Sequence, residues 1–220
     1  MKKILFTFIT FTIYGIASLS LYEKGIQFLE QNNTIEAKKC FLKASENNHS
    51  KAMHKLGLIY EKENDLTIAI TWYKRAKLAG NVKAKYNLGV LSCKQKSYEY
   101  LKDFTEYAQT SSKTVQYDLA VCFAKKGDKK KAIKWFKAVA NKGSSQAAYQ
   151  VATLIKNKSK KIKWLKISAN ANYIPAQFIL GKIYFKQQKI KKANYWLKKA
   201  EKNGSKKATI YLKRIKELGL

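Results

Sequence analysis

A unit of about 32 residues recurs along this chain, and a fixed period of that length is the signature of stacked helical repeats. The clearest copy carries small, Leu-Gly and aromatic positions in a fixed order: Ala52, Leu56, Gly57, Tyr60, Ala69, Trp72, Tyr73, Ala76 and Gly80. Its glycine position recurs as Gly25, Gly89, Ala120, Ala152 and Gly181, and its tryptophan position as Cys40, Phe104, Trp135, Trp164 and Trp196. Stacked repeats bury a core between neighbours and mainly produce a surface, so the sequence predicts an architecture more sharply than a partner.

Each copy holds two stretches of apolar residues at helical spacing, which predicts a pair of antiparallel helices. Small residues such as Gly57 and Ala69 are expected to let the paired backbones approach, while Trp72 fills the gap between units. Punctuation rich in Asn or Gly closes each copy, as expected where a helix ends in a left-handed residue or a new helix needs a cap.

The repeats predict an all-α fold, a right-handed α-solenoid of about six helix-turn-helix repeats over residues 20–220. A final segment from about Ser205 to Leu220 repeats only the first helix and is expected to cap the last apolar face, giving about thirteen helices in all. The fifth copy is shorter, because 12 residues separate Ala152 from Trp164 where 15 separate Gly57 from Trp72, and its inner turn is expected to be tighter.

Three strings resemble a known family: residues 84–89 (AKYNLG), 72–76 (WYKRA) and 135–137 (WFK). They are similar to the Sel1-like repeats, a branch of the tetratricopeptide-like solenoids, and the resemblance covers roughly residues 20–220. The units are shorter than is usual in that branch, and the third and fifth copies lack several signature residues. The resemblance implies an adaptor that binds proteins or peptides along the concave face formed by the first helices.

The first residues depart from the repeat. Lys2 and Lys3 precede an apolar run from Ile4 to about Ala17, and small residues follow it. This layout is typical of a secretory signal peptide, and the run is shorter than the roughly 20 residues that span a bilayer. We therefore expect residues 1–19 to be a signal peptide and the protein to be exported, periplasmic or secreted. Retention of the segment as an anchor is the alternative.

Cysteine usage does not suggest a disulfide framework. Cys40, Cys93 and Cys122 are an odd and sparse set for an oxidising compartment, so at least one of them is expected to be free. Burial as small apolar residues is one interpretation, and a bridge between Cys93 and Cys122 in successive first helices is the other.

Positive charge is concentrated in the C-terminal half. Residues 1–118 hold 18 basic and 11 acidic side chains, a net +7, whereas residues 119–220 hold 27 and 3, a net +24. Such a field attracts anionic partners, such as an acidic protein or an anionic envelope component including lipid headgroups. Nucleic acid is disfavoured, because Arg75 and Arg214 are the only arginines and an export signal is present. A lysine bias in the source organism is the alternative explanation of the charge.

A candidate partner-binding face follows from one position of the repeat, three residues before the glycine position. It holds an aromatic ring in every copy: Tyr22, His54, Tyr86, Tyr117, Tyr149 and Phe178. Lysines follow one to two turns later, namely Lys62, Lys94, Lys125 and Lys186. Rings edged by lysines suit an extended acidic or aromatic peptide, using apolar contact for affinity and charge for capture. Packing within the repeat is the alternative role of the rings.

No catalytic, cofactor or metal pattern is present in the sequence. His49 and His54 are five residues apart and therefore lie off a common helical face, and there is no HExxH, CxxC, GxSxG, GxGxxG or SxxK arrangement. The sequence therefore predicts a binding scaffold that is not an enzyme and has no cofactor. Two rivals remain, a β-lactamase-like or peptidoglycan-directed hydrolase of the cysteine-rich Sel1-like type and a peripheral binder of anionic membrane.

Overall fold

Helices make up all of the regular structure in the part of the chain that the structure describes. A computed structural model describes residues 19–219, and within them lie thirteen α-helices and no strand. The helices are α1 (19–30), α2 (Thr34–Glu46), α3 (Ser50–Lys62), α4 (Leu66–Leu78), α5 (Val82–Lys94), α6 (Leu101–Gln109), α7 (Lys113–Lys126), α8 (Lys129–Asn141), α9 (Ser145–Leu154), α10 (Lys158–Asn170), α11 (Ile174–Lys186), α12 (Ile190–Lys202) and α13 (Lys206–Glu217). The predicted all-α repeat solenoid is confirmed. The predicted signal peptide, 1–19, lies outside the described residues except for Leu19.

The described helices fall into two compact units, 19–110 and 111–219. In the first unit, α1 and α2, α3 and α4, and α5 and α6 form three pairs, and within this unit α2 also packs on α3 and α4 on α5. In the second unit, α7 to α12 form three more pairs in the same way. The last helix, α13, packs on α11 and α12 and buries Ala208 and Ile215, as predicted for a capping helix.

One position of each second helix forms the centre of each pair. Its side chain is almost completely buried in all six pairs: Phe41, Tyr73, Phe104, Phe136, Leu165 and Leu197. We call this the inner position. In five pairs it directly follows the tryptophan position, whereas the sequence alignment assigns Phe104 itself to the tryptophan position. That register is wrong by one residue in the third pair, where the inner position lies 15 residues after the glycine position that it contacts, against 16 in the second pair.

The tryptophan position is less central than the sequence suggests. Trp72 and Trp196 are buried, but Trp135 and Trp164 are only half-buried. The inner position faces the paired first helix and is therefore buried in every pair, whereas its tryptophan neighbour is not.

Glycine in the first helices permits the close approach that the sequence predicts. A Cβ atom added to Gly57 would lie 2.4 Å from Cε1 of Tyr73, and one added to Gly89 would lie 2.4 Å from Cβ of Phe104. Any larger residue there must displace the inner side chain. The second unit tolerates Ala120 and Ala152 at the same position.

Helices end at the Gly and Asn residues that the sequence predicts. Gly80, Gly143 and Gly204 have positive φ between helices, and Asn48 and Asn172 adopt the same left-handed region. Each is followed by the residue at the N-cap of the next helix. The breaks between pairs therefore lie where the sequence places them.

The fifth pair is shortened in a different place from the one predicted. Three residues, 155–157, link α9 to α10, the same number that link α3 to α4, so the inner turn is not tighter. Instead α9 has 10 residues where α3, α5 and α11 each have 13. The missing residues therefore remove the last turn of a first helix.

All three cysteines are buried, Cys40 in α2, Cys93 in α5 and Cys122 in α7, and Cys40 is a free thiol. Among the described helices, none combines the length and the apolar character needed to cross a membrane.

Candidate protein-binding surface

The six first-helix rings are all half-buried, so each packs on one side and meets solvent on the other. Four of them contact the inner position of their own pair, with ring centroids 5.2–5.8 Å apart: Tyr22 on Phe41, His54 on Tyr73, Tyr86 on Phe104 and Tyr117 on Phe136. The remaining two pack on neighbouring rings, Tyr149 on Tyr173 at 5.3 Å and Phe178 on Tyr211 at 5.5 Å. Packing and partial exposure are therefore combined at the same position.

In the first unit, two of these rings meet in one cleft of about 500 Å³ between α1, α3 and the start of α5. Tyr22 and His54 line it together with three lysines, Lys51, Lys55 and Lys83. No acidic residue lines the cleft, so the rings sit in a positive field. Sequence reasoning missed these lysines, although Lys51 and Lys83 share one repeat position, because the other full copies have no lysine at that position or at the position of Lys55. Only the packing of three helices brings the three lysines together.

The imidazole of His54 is held in its neutral form. Burial, reinforced by the positive charges of Lys83 and Lys55, lowers the pKa of His54 to about 4, although a hydrogen bond with Asn87 opposes the shift. Its Nε2 atom is buried without a hydrogen-bond partner in the described chain. Protonation would therefore place an unpaired charge beside the Tyr73 ring.

The predicted lysine edge of the first unit is only partly formed. Lys62 and Lys94 are exposed at the ends of α3 and α5, and neither lines the cleft of Tyr22 and His54. The Nζ atom of Lys94 lies 3.2 Å from Oε1 of Glu61, whose other oxygen accepts a hydrogen bond of 2.9 Å from the Tyr73 hydroxyl. The charge of Lys94 is therefore partly neutralised and stabilises the fold.

In the second unit the rings gather into a tyrosine cluster formed by Tyr117, Tyr149 and Tyr173. Gln150 Nε2 donates to the Tyr117 hydroxyl at 3.4 Å, which connects α9 to α7. Burial, with smaller contributions from Tyr117 and Tyr149, raises the pKa of Tyr173, so its phenol stays neutral. The cluster can therefore offer ring surface and hydroxyl groups to a bound chain.

The lysines predicted in this unit lie apart from the tyrosine cluster. Lys125 is exposed in the last turn of α7. Lys186 lies at the end of α11, where it borders a groove formed with the start of α10. Among the described residues, no group of three or more His, Cys, Asp or Glu side chains is placed to hold a metal ion.

Two family models match this chain in different places. The tetratricopeptide repeat model matches residues 22–82 in the first unit, and the Sel1 repeat model matches residues 115–144 and 174–205 in the second. The chain is a repeat protein of the Sel1-like and tetratricopeptide-like type. Such repeats typically mediate protein interactions and are generally non-catalytic scaffolds, which is the coarse function predicted from the sequence.

Solved structures of similar fold include a Sel1 repeat protein from Oxalobacter formigenes, at 25% identity and a TM-score of 0.55 over 88% of this chain and 89% of that one. Pseudomonas aeruginosa PilF matches at 17% identity and a TM-score of 0.63, over 91% of this chain and 99% of PilF. YrrB, described as a tetratricopeptide repeat protein with an unusual peptide-binding site, matches at 19% identity and a TM-score of 0.62, over 71% of this chain and 88% of YrrB. A search of curated proteins found no match to this chain.

Proposed function

We propose that this Sel1-like repeat protein is an exported scaffold, periplasmic or secreted, that binds an acidic protein or peptide on the first-helix face of its repeats. The observation that carries the proposal is the half-exposure of all six first-helix rings. A ring that is packed on one side and open on the other is held rigid at no further entropic cost, which favours binding.

Charge supports an acidic partner. The cleft of Tyr22 and His54 is edged by Lys51, Lys55 and Lys83 without an acidic neighbour in its lining. The chain as a whole carries a net charge of +31. Lysines at such an edge accelerate the encounter with an acidic chain, while the rings supply apolar contact once it is bound.

Export rests on the first residues of the sequence, where Lys2 and Lys3 precede a short apolar run. The non-enzymatic assignment rests on the family type and on the sequence, which lacks paired metal ligands and nucleophile motifs. Among the solved structures of this fold, YrrB has a peptide-binding site by its own description, which supports a peptide as the ligand class.

One experiment with two arms tests the proposal. A C-terminally tagged chain is expressed in a Gram-negative host and the cells are fractionated. We expect the protein in the envelope or the medium, with a mass that corresponds to loss of about the first 19 residues, as for a cleaved signal peptide. A full-length protein confined to the cytoplasm would contradict export.

The second arm measures capture of proteins from envelope extract at low salt. Lys51→Glu combined with Lys55→Glu reverses two charges in the first-unit cleft and should reduce capture about fivefold or more. The matched control is Lys43→Glu with Lys102→Glu, because both residues are exposed on second helices of the same unit and give the same change in net charge. Equal losses from both variants, or turnover of a chromogenic β-lactam by the parent chain, would contradict the proposal.

A further inference from the structure

A groove lies beside the shortened fifth repeat. It encloses about 520 Å³ between the first turn of α10 and the C-terminal half of α11. Three isoleucines, Ile162, Ile179 and Ile183, form an apolar floor that packs on the core of the second unit. Four lysines surround it: Lys158, Lys161, Lys182 and Lys186.

The groove begins at the start of α10, directly after the shortened helix α9. In the full-length repeats the residue five places after the glycine position still belongs to the first helix, as for Lys62 and Lys94. In the fifth repeat the equivalent residue, Asn157, is already the N-cap of α10. The start of α10 therefore follows a first helix that lacks its last turn.

One residue of α10 that lines the groove, Lys161, differs in type and exposure from its equivalents in the other repeats. The position of Lys161 is alanine in four other repeats, and those alanines, Ala37, Ala69, Ala132 and Ala193, are all fully buried. Lys161 instead is partly exposed and lines the groove. A lysine is accommodated there because its ammonium group reaches solvent through the groove while its methylenes pack at the edge.

Residues on α11 differ as well. The position of Ile179 is polar in every other repeat: Glu23, Lys55, Asn87, Asp118 and Gln150. The next position along the groove shows the opposite exchange, since Lys182 stands where four repeats have Ile26, Leu58, Val90 and Val121. Ile183 is half-exposed, whereas its equivalents Ile59 and Leu91 in the first unit are buried. The result is an isoleucine floor with lysines at its edge, built on a pair of residues, Ile179 and Lys182, that no other copy has at these positions.

The charges of the groove are not balanced from within the chain. None of its four lysines forms an ion pair with a carboxylate of the described residues. Asp128 is the only acidic residue between Leu119 and Ala200, a stretch that holds 21 lysines. The missing counter-charge must therefore come from solvent ions or from a ligand.

We propose that this groove binds an acidic peptide segment with an aliphatic side chain that rests on Ile162, Ile179 and Ile183 while flanking carboxylates meet the four lysines. The inference rests on the proposed function and specifies the kind of segment that is recognised. Lysines are flexible point charges, so they suit carboxylates at varied spacing. Apolar contact with the isoleucines then separates an aliphatic acidic segment from a purely acidic one.

Other anions fit less well. Every residue that lines the groove is at least partly exposed, so the floor is shallow and would leave most of a lipid acyl chain in water. Bases of a nucleic acid would find neither an aromatic ring nor an arginine in the lining. Inorganic polyphosphate would use the lysines alone and gain nothing from the three isoleucines.

The test uses the purified protein with 13C-labelled isoleucine δ1 methyl groups and two synthetic peptides, acetyl-EEDLLDEE-amide and its serine counterpart acetyl-EEDSSDEE-amide. In NMR titrations at low salt we expect the leucine peptide to shift the methyl signals of Ile162, Ile179 and Ile183 selectively and saturably. We expect the serine peptide to bind about tenfold more weakly, because it lacks the apolar contact.

Variants then distinguish the contribution of the isoleucine floor to peptide binding from that of general charge attraction. Ile179→Gln installs the residue type of Gln150 at the same repeat position, so the helix should tolerate it. It should weaken the leucine peptide about tenfold and leave the serine peptide nearly unchanged. Lys182→Glu with Lys186→Glu should weaken both peptides several-fold more than Lys206→Glu with Lys207→Glu, a control of equal charge on exposed residues of α13.

Several outcomes would overturn the inference. Peptide binding without shifts of the three methyl signals, or equal weakening of both peptides by Ile179→Gln, would show that the isoleucines are not the anchor. Neither result touches the proposed function, since an acidic peptide would still bind. No peptide binding at low salt, or the same methyl shifts with phosphatidylglycerol vesicles alone, would remove the peptide assignment, while capture of envelope proteins by the first-unit cleft would stand on its own test.

Discussion

Each of the two units has an interior of the same kind, but their surfaces differ. In both, each helix pair is centred on an almost completely buried inner position, represented by Phe104 in the first unit and Phe136 in the second. Their surfaces diverge: residues 19–110 carry 15 basic and 10 acidic side chains, whereas residues 111–219 carry 28 and 4. The tetratricopeptide model matches only the first unit and the Sel1 model only the second.

Ion pairs show what the difference in charge does. In the first unit, Lys77 of α4 pairs with Asp103 of α6, and Lys85 of α5 lies 3.2 Å from Glu106 of α6. These pairs connect helices. With 28 basic and 4 acidic residues, the second unit must leave most of its lysines without a carboxylate. The interior of the repeats therefore determines the fold in both units, while ion pairs between helices add cohesion in the first.

The largest effect should come from the feature that the units share. Phe104→Ala and Phe136→Ala should each lower the free energy of unfolding by about 3–5 kcal/mol, because both remove a fully buried ring. Trp135→Ala should cost about half as much or less, since that side chain is only half-buried. Urea denaturation followed by circular dichroism measures all three.

Tyr195→Ala, at a side chain that is 53% exposed, serves as the control and should change stability by less than about 0.5 kcal/mol. A greater loss from Trp135→Ala than from Phe136→Ala would restore the tryptophan position as the centre of the pair. Very different losses from the two phenylalanines would break the equivalence of the two interiors.

The shared interior was largely predictable from sequence, because helical spacing and small residues recur in register. The pairing of helices, the close approach at Gly57 and the capping helix after Ser205 all follow from that pattern. The inner position was not predictable from sequence, since Trp72 and Tyr73 are both aromatic. A helical period does not decide which of two adjacent residues faces the paired first helix.

The candidate sites were only partly predictable. The first-helix rings recur at one position and could be named, whereas lysine at the positions of Lys51, Lys83 and Lys55 is confined to two copies, and only their packing shows a cleft. The groove beside α11 lies next to a shortened repeat, which the sequence shows only as a short spacing between Ala152 and Trp164. Repeats predict what is common to all copies, whereas binding surfaces arise where one copy departs from the rest.

A fall in pH should have a smaller effect on stability, and that effect should be confined mainly to the first unit. Both histidines of the chain, His49 and His54, lie in the first unit. The pKa of His54 is lowered to about 4, and burial lowers the pKa of His49 too, so the unfolded chain binds protons more readily than the folded one. Stability is therefore fully present above about pH 6.5 and is lost as the pH falls toward 4.

Between pH 7 and pH 5 the loss should be about 1–2 kcal/mol, after allowance for the partial solvent exposure of the ring. Hydrogen exchange resolved by mass spectrometry should locate the loss in residues 19–110. His54→Phe, which installs the ring type of Phe178, should remove most of it. A loss that persists in this variant, or one centred on the second unit, would contradict the assignment to His54.

The smallest effect should appear with salt, and its sign should differ between the units. Screening weakens the helix-connecting ion pairs of the first unit but relieves repulsion among the lysines of the second. On raising sodium chloride from about 20 to about 300 mM, the first unit should lose, and the second gain, up to about 1 kcal/mol. The same unit-resolved hydrogen exchange reports both changes in one sample.

Two substitutions sharpen this comparison. Glu61 and Glu63 pair with Lys94 and Lys38, so Glu61→Gln with Glu63→Gln should reduce the salt-induced loss in the first unit. Glu46→Gln is the control, because Glu46 is exposed and forms no ion pair within the described residues. Stabilisation of both units by salt would mean that repulsion also dominates the first, and its carboxylates would then not contribute the cohesion inferred from their pairing.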